Sequence, residues 1–183
     1  MAHPRLITAP AALPLSLAEA KSWCRVDGSD EDALIQSLIA GAAARLDGWR
    51  GLLGRALEPQ TWELRLDRFP AAEIALPLGP VVSVEQVAYV DRLGALQVVA
   101  PSAYELDAQG VEGWIVPVAD ASWPETMDVV NAVRVRWIAG EGCPEEVRQA
   151  IRQTIAYWYD NRGAGELPPG VLKSISHLRR VAF

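Results

Sequence analysis

The sequence predicts an α+β fold: a helical N-terminal pair and a long C-terminal helix packed with a mostly antiparallel β-sheet and hairpin region, plus an extended C-terminal tail. Three observations carry this. Apolar residues repeat at helical spacing near both ends of the chain. Between about residues 60 and 138 the pattern changes to strict alternation in short runs, as in TWELRLDRF and AVRVRWI. Turn residues, among them Asp91-Arg92-Leu93-Gly94, punctuate those runs at hairpin distances.

Residues 1–14 hold three prolines and no period, and read as an extended N-terminal arm. Ser16 with Glu19 forms the pattern of a capping box, so a helix is expected over 16–26, burying Leu17, Ala20, Trp23 and Cys24. The acidic stretch DGSDED follows. A calcium loop starting at Asp27 would need Gly at its sixth position and Glu at its twelfth, which are Asp32 and Leu38, so it reads as a turn leading into acidic residues at a helix start. The second helix is expected over 30–50, with Leu34, Ile35, Leu38, Ala42 and Leu46 as its apolar stripe and Gly51 to Gly54 ending it. Strands are expected at Gln60 to Phe69, Ile74 to Pro77, Val81 to Asp91, Ala95 to Val99, Ala103 to Asp107, Gly113 to Pro117 and Ala132 to Ile138, with Gly94 at positive φ in the hairpin turn. Pro144 fits the first position of a third helix over 144–161, whose inward face is Val147, Ala150, Ile151, Ile155 and Trp158. The organisation is an arm (1–14), one domain (15–162) and a tail (163–183).

With 183 residues, half of them apolar, and seven Trp, the chain can bury a core. No apolar run reaches the roughly 18 residues of a membrane span, and the N-terminus lacks the basic start and continuous apolar stretch of a signal peptide. A protein made in the cytoplasm is expected. Two Cys and two His, far apart, make no structural zinc site, and both thiols read as ordinary. Charge is uneven: residues 1–160 carry 13 basic and 22 acidic side chains, whereas residues 161–183 carry four basic and one acidic. An acidic body should not grip nucleic acid by its phosphates, and a basic tail of opposite sign points to a partner of its own.

Catalytic constellations do not assemble from these residues. A triad needs a His, and His3 and His177 lie in the terminal extensions, poor places for a base in fixed geometry. There is no nucleophile elbow, no phosphate-binding Gly-rich loop and no dinucleotide fingerprint. The carboxylate pairs Glu31/Asp32 and Glu145/Glu146 sit at helix starts, where capping explains them. The expectation is no enzyme, no cofactor and no metal. Trp62, Trp137 and Trp158 read as core, and Trp49, Trp114 and Trp123, near element ends, as candidate subunit contacts.

The ordered set of LSLAEAKSWCRVDGSDEDALIQSLIAGAAA, LGRALEPQTWEL, ALPLGPVVSVEQVAYVDRLG and VRVRWIAGEGCPEEVRQAIRQTIAYWYDNR, over roughly residues 15 to 163, resembles the head–tail connector (adaptor) proteins of long-tailed bacteriophages and phage-derived gene transfer agents. The resemblance implies a structural protein of the particle neck, made in the bacterial cytoplasm. It would form a ring of about twelve copies beneath the portal, next to a further tail-proximal stopper or connector ring. DNA would pass through its channel without specific binding. The alternatives are a small enzyme with a site between subunits, or an adaptor for a host protein.

Two readings stand for the tail. One is a frayed chain end. The other is a spacer, Gly163 to Gly170, followed by a basic amphipathic helix with Val171, Leu172, Ile175, Leu178 and Ala182 on its stripe and Lys173, Arg179 and Arg180 on or beside its other face. The resemblance implies that this segment docks on the portal, which makes Val171, Leu172, Lys173, Ile175, Leu178, Arg179, Arg180 and Phe183 the candidate docking residues. On that reading, removing everything after Arg162 leaves a folded body.

Overall fold

Ser16 opens the first helix as its sequence promises. In the computed structural model, which describes residues 3–163 and 165–180, the Glu19 amide donates to Ser16 Oγ at 3.3 Å while the Ser16 amide and hydroxyl donate to Glu19 Oε2 at 3.0 and 2.6 Å. Those bonds from Ser16 hold the Glu19 carboxyl at a pKa of about 2. Helix α1 (Leu17–Cys24) ends when Arg25 turns left-handed at φ 56°. Ala20 is its one fully buried residue, and Trp23, expected inside, is 45% exposed. At 100° per residue Leu17, Ala20 and Cys24 share one narrow stripe, and Trp23 falls about a quarter-turn off it.

Helix α2 (Asp32–Leu46) buries Ile35, Leu38, Ile39, Ala42, Ala43 and Leu46. Four of the five expected stripe residues, Ile35, Leu38, Ala42 and Leu46, are inside, with Ile39 and Ala43 added on one flank, and Leu34 on the other flank is 48% exposed. Lys21 Nζ on α1 meets Asp32 Oδ1 at 2.6 Å and ties the acidic turn to the helix before it. The helix stops four residues earlier than expected. Asp47 becomes extended and its carboxylate accepts the Leu57 amide at 2.7 Å, and Gly51 folds back so closely that a Cβ there would lie 2.2 Å from the Asp47 carbonyl oxygen. Helix α3 (Glu145–Asn161) buries Val147, Ala150, Ile151, Thr154, Ile155 and Trp158. Pro144 precedes its first helical residue instead of being that residue, and its carbonyl accepts from Val147 and Arg148. These helices, with a short α4 (Val171–Ser174), make one compact unit, Ala11–Glu58 with Gly142–Phe183.

The second unit, Met1–Pro10 with Pro59–Glu141, holds all the strands among the described residues. A five-stranded antiparallel sheet runs in the order β1 (Arg5–Thr8), β2 (Gln60–Leu66), β8 (Val133–Ala139), β4 (Val81–Val90), β5 (Leu96–Val98). A three-stranded antiparallel sheet runs β3 (Ile74–Leu76), β7 (Gly113–Pro117), β6 (Tyr104–Asp107). In β8 the pattern is strict: Val133, Val135 and Trp137 are inside and Arg134, Arg136 and Ile138 alternate with them. Trp137 is wholly buried and its indole N–H donates to the Leu78 carbonyl at 2.8 Å. The hairpin between β4 and β5 turns at Gly94, φ 82°, with Asp91 Oδ1 accepting the amides of Leu93 and Ala95. The first strand is the one the sequence hid. Part of the expected arm, it pairs with β2 through Arg5↔Glu63 and Leu6↔Trp62. All four of its residues are exposed, so no alternation marks it.

Candidate docking surfaces

The tail begins where α3 ends. Arg162 turns left-handed at φ 48°, and the Gly163 amide returns to the Trp158 carbonyl. The Trp158 indole N–H donates to the Glu166 carbonyl at 2.7 Å, which fixes the spacer's path over α3. Gly170, at φ 87°, then starts the single turn of α4.

The expected helix from Val171 onward is replaced by that turn and a 3-10 turn at Ser176–Leu178, with Ile175 between them at φ −108° and ψ 7°. A continuing helix would direct the Arg180 amide to the carbonyl of Ser176. Here it donates to Leu53 at 2.8 Å, and the Arg180 guanidinium lies 5.2 Å from the Trp49 ring centroid, a cation–π contact. Val171 and Ile175 are buried, 4% and 1% exposed, in the same apolar cluster as Ile35, Leu46, Leu53, Ile151 and Ile155. Leu172 and Leu178 are half-buried, as is Arg180, and Lys173 and Arg179 face solvent. His177 Nε2 meets Glu146 Oε2 at 2.8 Å. Phe183 and Ala182 lie outside the described residues. The expectation that a folded core lies wholly before Arg162 is therefore corrected: two of the helical unit's buried side chains come from the tail.

Both thiols have their pKa displaced upward. Burial, then the nearby Glu58 carboxylate, pushes Cys143 up to about 12. Burial and the carboxylates of Asp160 and Glu31 raise Cys24 as well. An open cleft of about 730 Å³ is lined by Glu31, Leu34, Ser37, Leu38, Trp158 and Tyr159 among others. Four of its lining residues are ionisable, Glu31, Tyr159, Asp160 and Arg162, and two of them are bonded to each other: the Tyr159 hydroxyl donates to Glu31 Oε2, and this bond chiefly raises the phenol's pKa.

The strand unit holds a charged arrangement for which no site was expected from the sequence. Glu63, on β2, is 1% exposed. Arg65 Nε and Arg136 Nε donate to its two oxygens at 2.7 and 2.6 Å. Burial raises the carboxyl's pKa, the bonds from Arg136 and Arg65 lower it, and the net displacement is downward. Glu63 lies opposite Arg136 on β8, and Arg65 lies opposite Arg134. The visible signal was the polar half of two alternating runs, ELR and RVR, which antiparallel pairing brings onto one face.

The three tryptophans at element ends also have intramolecular partners. Trp49 lies beneath Arg180, Trp123 stacks on Phe69 with centroids 5.0 Å apart, and half-buried Trp114 on β7 pairs across the sheet with Ala75 and Asp107.

Residues 14–90 match the family model described as Phage gp6-like head-tail connector protein. A search of the curated proteins gives no match. Among solved structures, a chain from the neck of an empty gene transfer agent particle, computed with sixfold symmetry, superposes with a TM-score of 0.80 at 24% identity, covering 99% of this chain and 97% of that one. A chain from the virion of the native gene transfer agent particle gives 0.77 at 25% identity, covering 98% and 96%. A third, from the native particle's neck computed with twelvefold symmetry, gives 0.70 at 24% identity, covering 99% and 97%.

Proposed function

We propose that this chain is a head–tail connector, a structural protein of the neck of a tailed phage or gene transfer agent particle. One observation carries the reading: the fold agrees with a neck chain from end to end, over 99% of this chain and 97% of the other. The match of residues 14–90 to a connector family adds to it independently. The copies form a ring, about twelve of them, between the portal and the next tail-proximal ring, and the ring lines the DNA channel. An identical patch repeated head to tail closes such a ring when the rotation closes. The acidic body suits a channel wall, since like charge keeps DNA from adhering. Removing the chain from the producing cells tests the reading: DNA-filled heads without stable tails are expected, and complete, functional particles would refute it.

The tail residues are the portal contact in this proposal. Val171 and Ile175 anchor the segment to the chain's own core. Lys173 and Arg179 with the exposed parts of Leu172, Leu178 and Arg180, followed by Phe183, meet an acidic, partly apolar portal groove. Lys173→Glu combined with Arg179→Glu should leave the thermal melt of the purified chain within about 0.5 kcal/mol of the parent, because both side chains are exposed. Pull-down by portal-containing heads should fall at least about tenfold, as like charges are brought together.

A further inference from the structure

The strand unit divides its charges. Its two segments carry six arginines, no lysine and twelve Asp and Glu residues. Four of those six arginines occur on one face of the five-stranded sheet. Register places them there: Arg5 opposite Glu63, Arg136 opposite Glu63 on the other side, and Arg65 opposite Arg134. Side chains directly opposite each other in an antiparallel pair project from the same face. Carboxylates lie within this set and at its margin. Glu63 is engaged by Arg65 and Arg136, and Glu85 accepts from the Thr61 hydroxyl. Asp67, at the rim, accepts the Asn131 amide.

Two of the arginines are not matched inside the chain. Among the described residues, Arg5 and Arg134 form no ion pair, and the Arg134 Nε is buried without a hydrogen-bond partner. An Arg65–Arg134 pair directly across two strands is unfavourable on its own. A sheet face meant only for water would be more stable with a carboxylate at residue 134. A hollow of about 530 Å³ lined by His3, Arg5, Glu63, Arg65 and Asp67 makes the face concave at this end.

The same unit carries the complement. Strand β6 is an edge of the three-stranded sheet, and it exposes Glu105 and Asp107 while Tyr104 and Leu106 turn inward. These two carboxylates project from one face of the sheet along its edge strand, two residues apart, and Asp107 Oδ1 also accepts the Gln109 amide.

We infer that the arginine face of one copy receives the acidic β6 edge, Glu105 and Asp107, of a second copy. The patches are different surfaces of the same chain, so the contact is heterologous and runs head to tail. The inference rests on the connector reading and deepens it, by naming the surfaces through which copies meet. A protein carboxylate fits better than a DNA backbone. The unit as a whole has twice as many acidic as basic side chains, and a long polyanion would feel that excess where a two-carboxylate edge would not.

A charge swap tests this in particles made by producing cells. Arg5→Glu with Arg134→Glu reverses one side, Glu105→Arg with Asp107→Arg reverses the other, and the four changes together restore opposite signs. The readout is the amount of the chain in purified particles, with a thermal melt of each purified variant alongside. The acidic-side variant lies on an exposed edge, so its result stands even where the arginine-side variant melts lower. Each reversal should lower incorporation at least about tenfold, and the fourfold variant should return it to within about twofold of the parent. Normal incorporation of the Glu105→Arg, Asp107→Arg variant would overturn the inference, as would two defective reversals whose combination is not rescued. A purified chain whose binding to a labelled DNA duplex is abolished by the arginine changes, with the acidic changes harmless to incorporation, would assign the face to DNA instead. Absence of the unaltered chain from particles would overturn the connector reading itself.

Discussion

Glu63→Ala should destabilise the strand unit by about 1.5–3 kcal/mol, the cost of removing a buried carboxylate that two part-exposed arginines bond. Arg65 and Arg136 both direct their Nε groups at this one carboxylate, and Arg134 and Arg5 lie beside it. Without Glu63 the face holds four arginines with no anion at their centre. Urea unfolding followed by tryptophan fluorescence would measure the loss, since Trp62 and Trp137 are buried in the same sheet. A loss under about 1 kcal/mol would show that the arginines reach solvent freely and that the network contributes little.

The same residue gives a pH dependence with a defined sign. The folded-state pKa of Glu63 lies below its ordinary value, because the bonds from Arg136 and Arg65 outweigh the effect of burial. A carboxyl depressed on folding stabilises the native state at pH above its unfolded value, about 4.3. That contribution disappears as pH falls through the folded value. The parent chain should therefore lose stability more steeply below about pH 4 than Glu63→Gln, which has no charge to lose.

Ile175→Ala should cost the helical unit about 2–5 kcal/mol, in the range for removing a buried isoleucine side chain beyond Cβ. Truncation after Arg162 should cost more, since it removes Val171, Ile175, the Glu166 acceptor of the Trp158 indole and the Arg180 bond to Leu53. Thermal denaturation of the purified chains would show both. A truncated chain that melts like the parent would mean that the tail does not pack as described. The contrast with Lys173→Glu and Arg179→Glu is informative, because those exposed changes should spare stability and affect portal binding alone.

Most of the architecture was legible in the chain. Ser16 and Glu19 announced the first helix, because a capping box needs only a hydroxyl and a carboxylate three residues apart. The alternation in TWELRL and VRVRW marked two of the sheet's three interior strands, because one face is buried and the other is not. Reading failed where local pattern and tertiary packing diverge. Strand β1 has no buried residue, so its existence depends on β2 for register. Trp23 is apolar but lies off the narrow stripe of an eight-residue helix.

The tail shows a different limit. The spacing of Val171, Leu172, Ile175 and Leu178 correctly marked residues with an apolar surface to cover. It could not say that Val171 and Ile175 are covered by α3 and the turn around Leu53, since that depends on the path of the spacer. The arginine face was hidden for a related reason. ELR and RVR are each ordinary polar-face sequences, and only their pairing in register collects four cations around one buried carboxylate.

The most direct test of the connector reading is cryo-electron microscopy of the neck of intact particles carrying this chain. The account predicts a ring of copies at the head–tail junction, between the portal and the tail, whose density fits the fold described above. A neck resolved well enough to trace its chains, and built without this one, would contradict it.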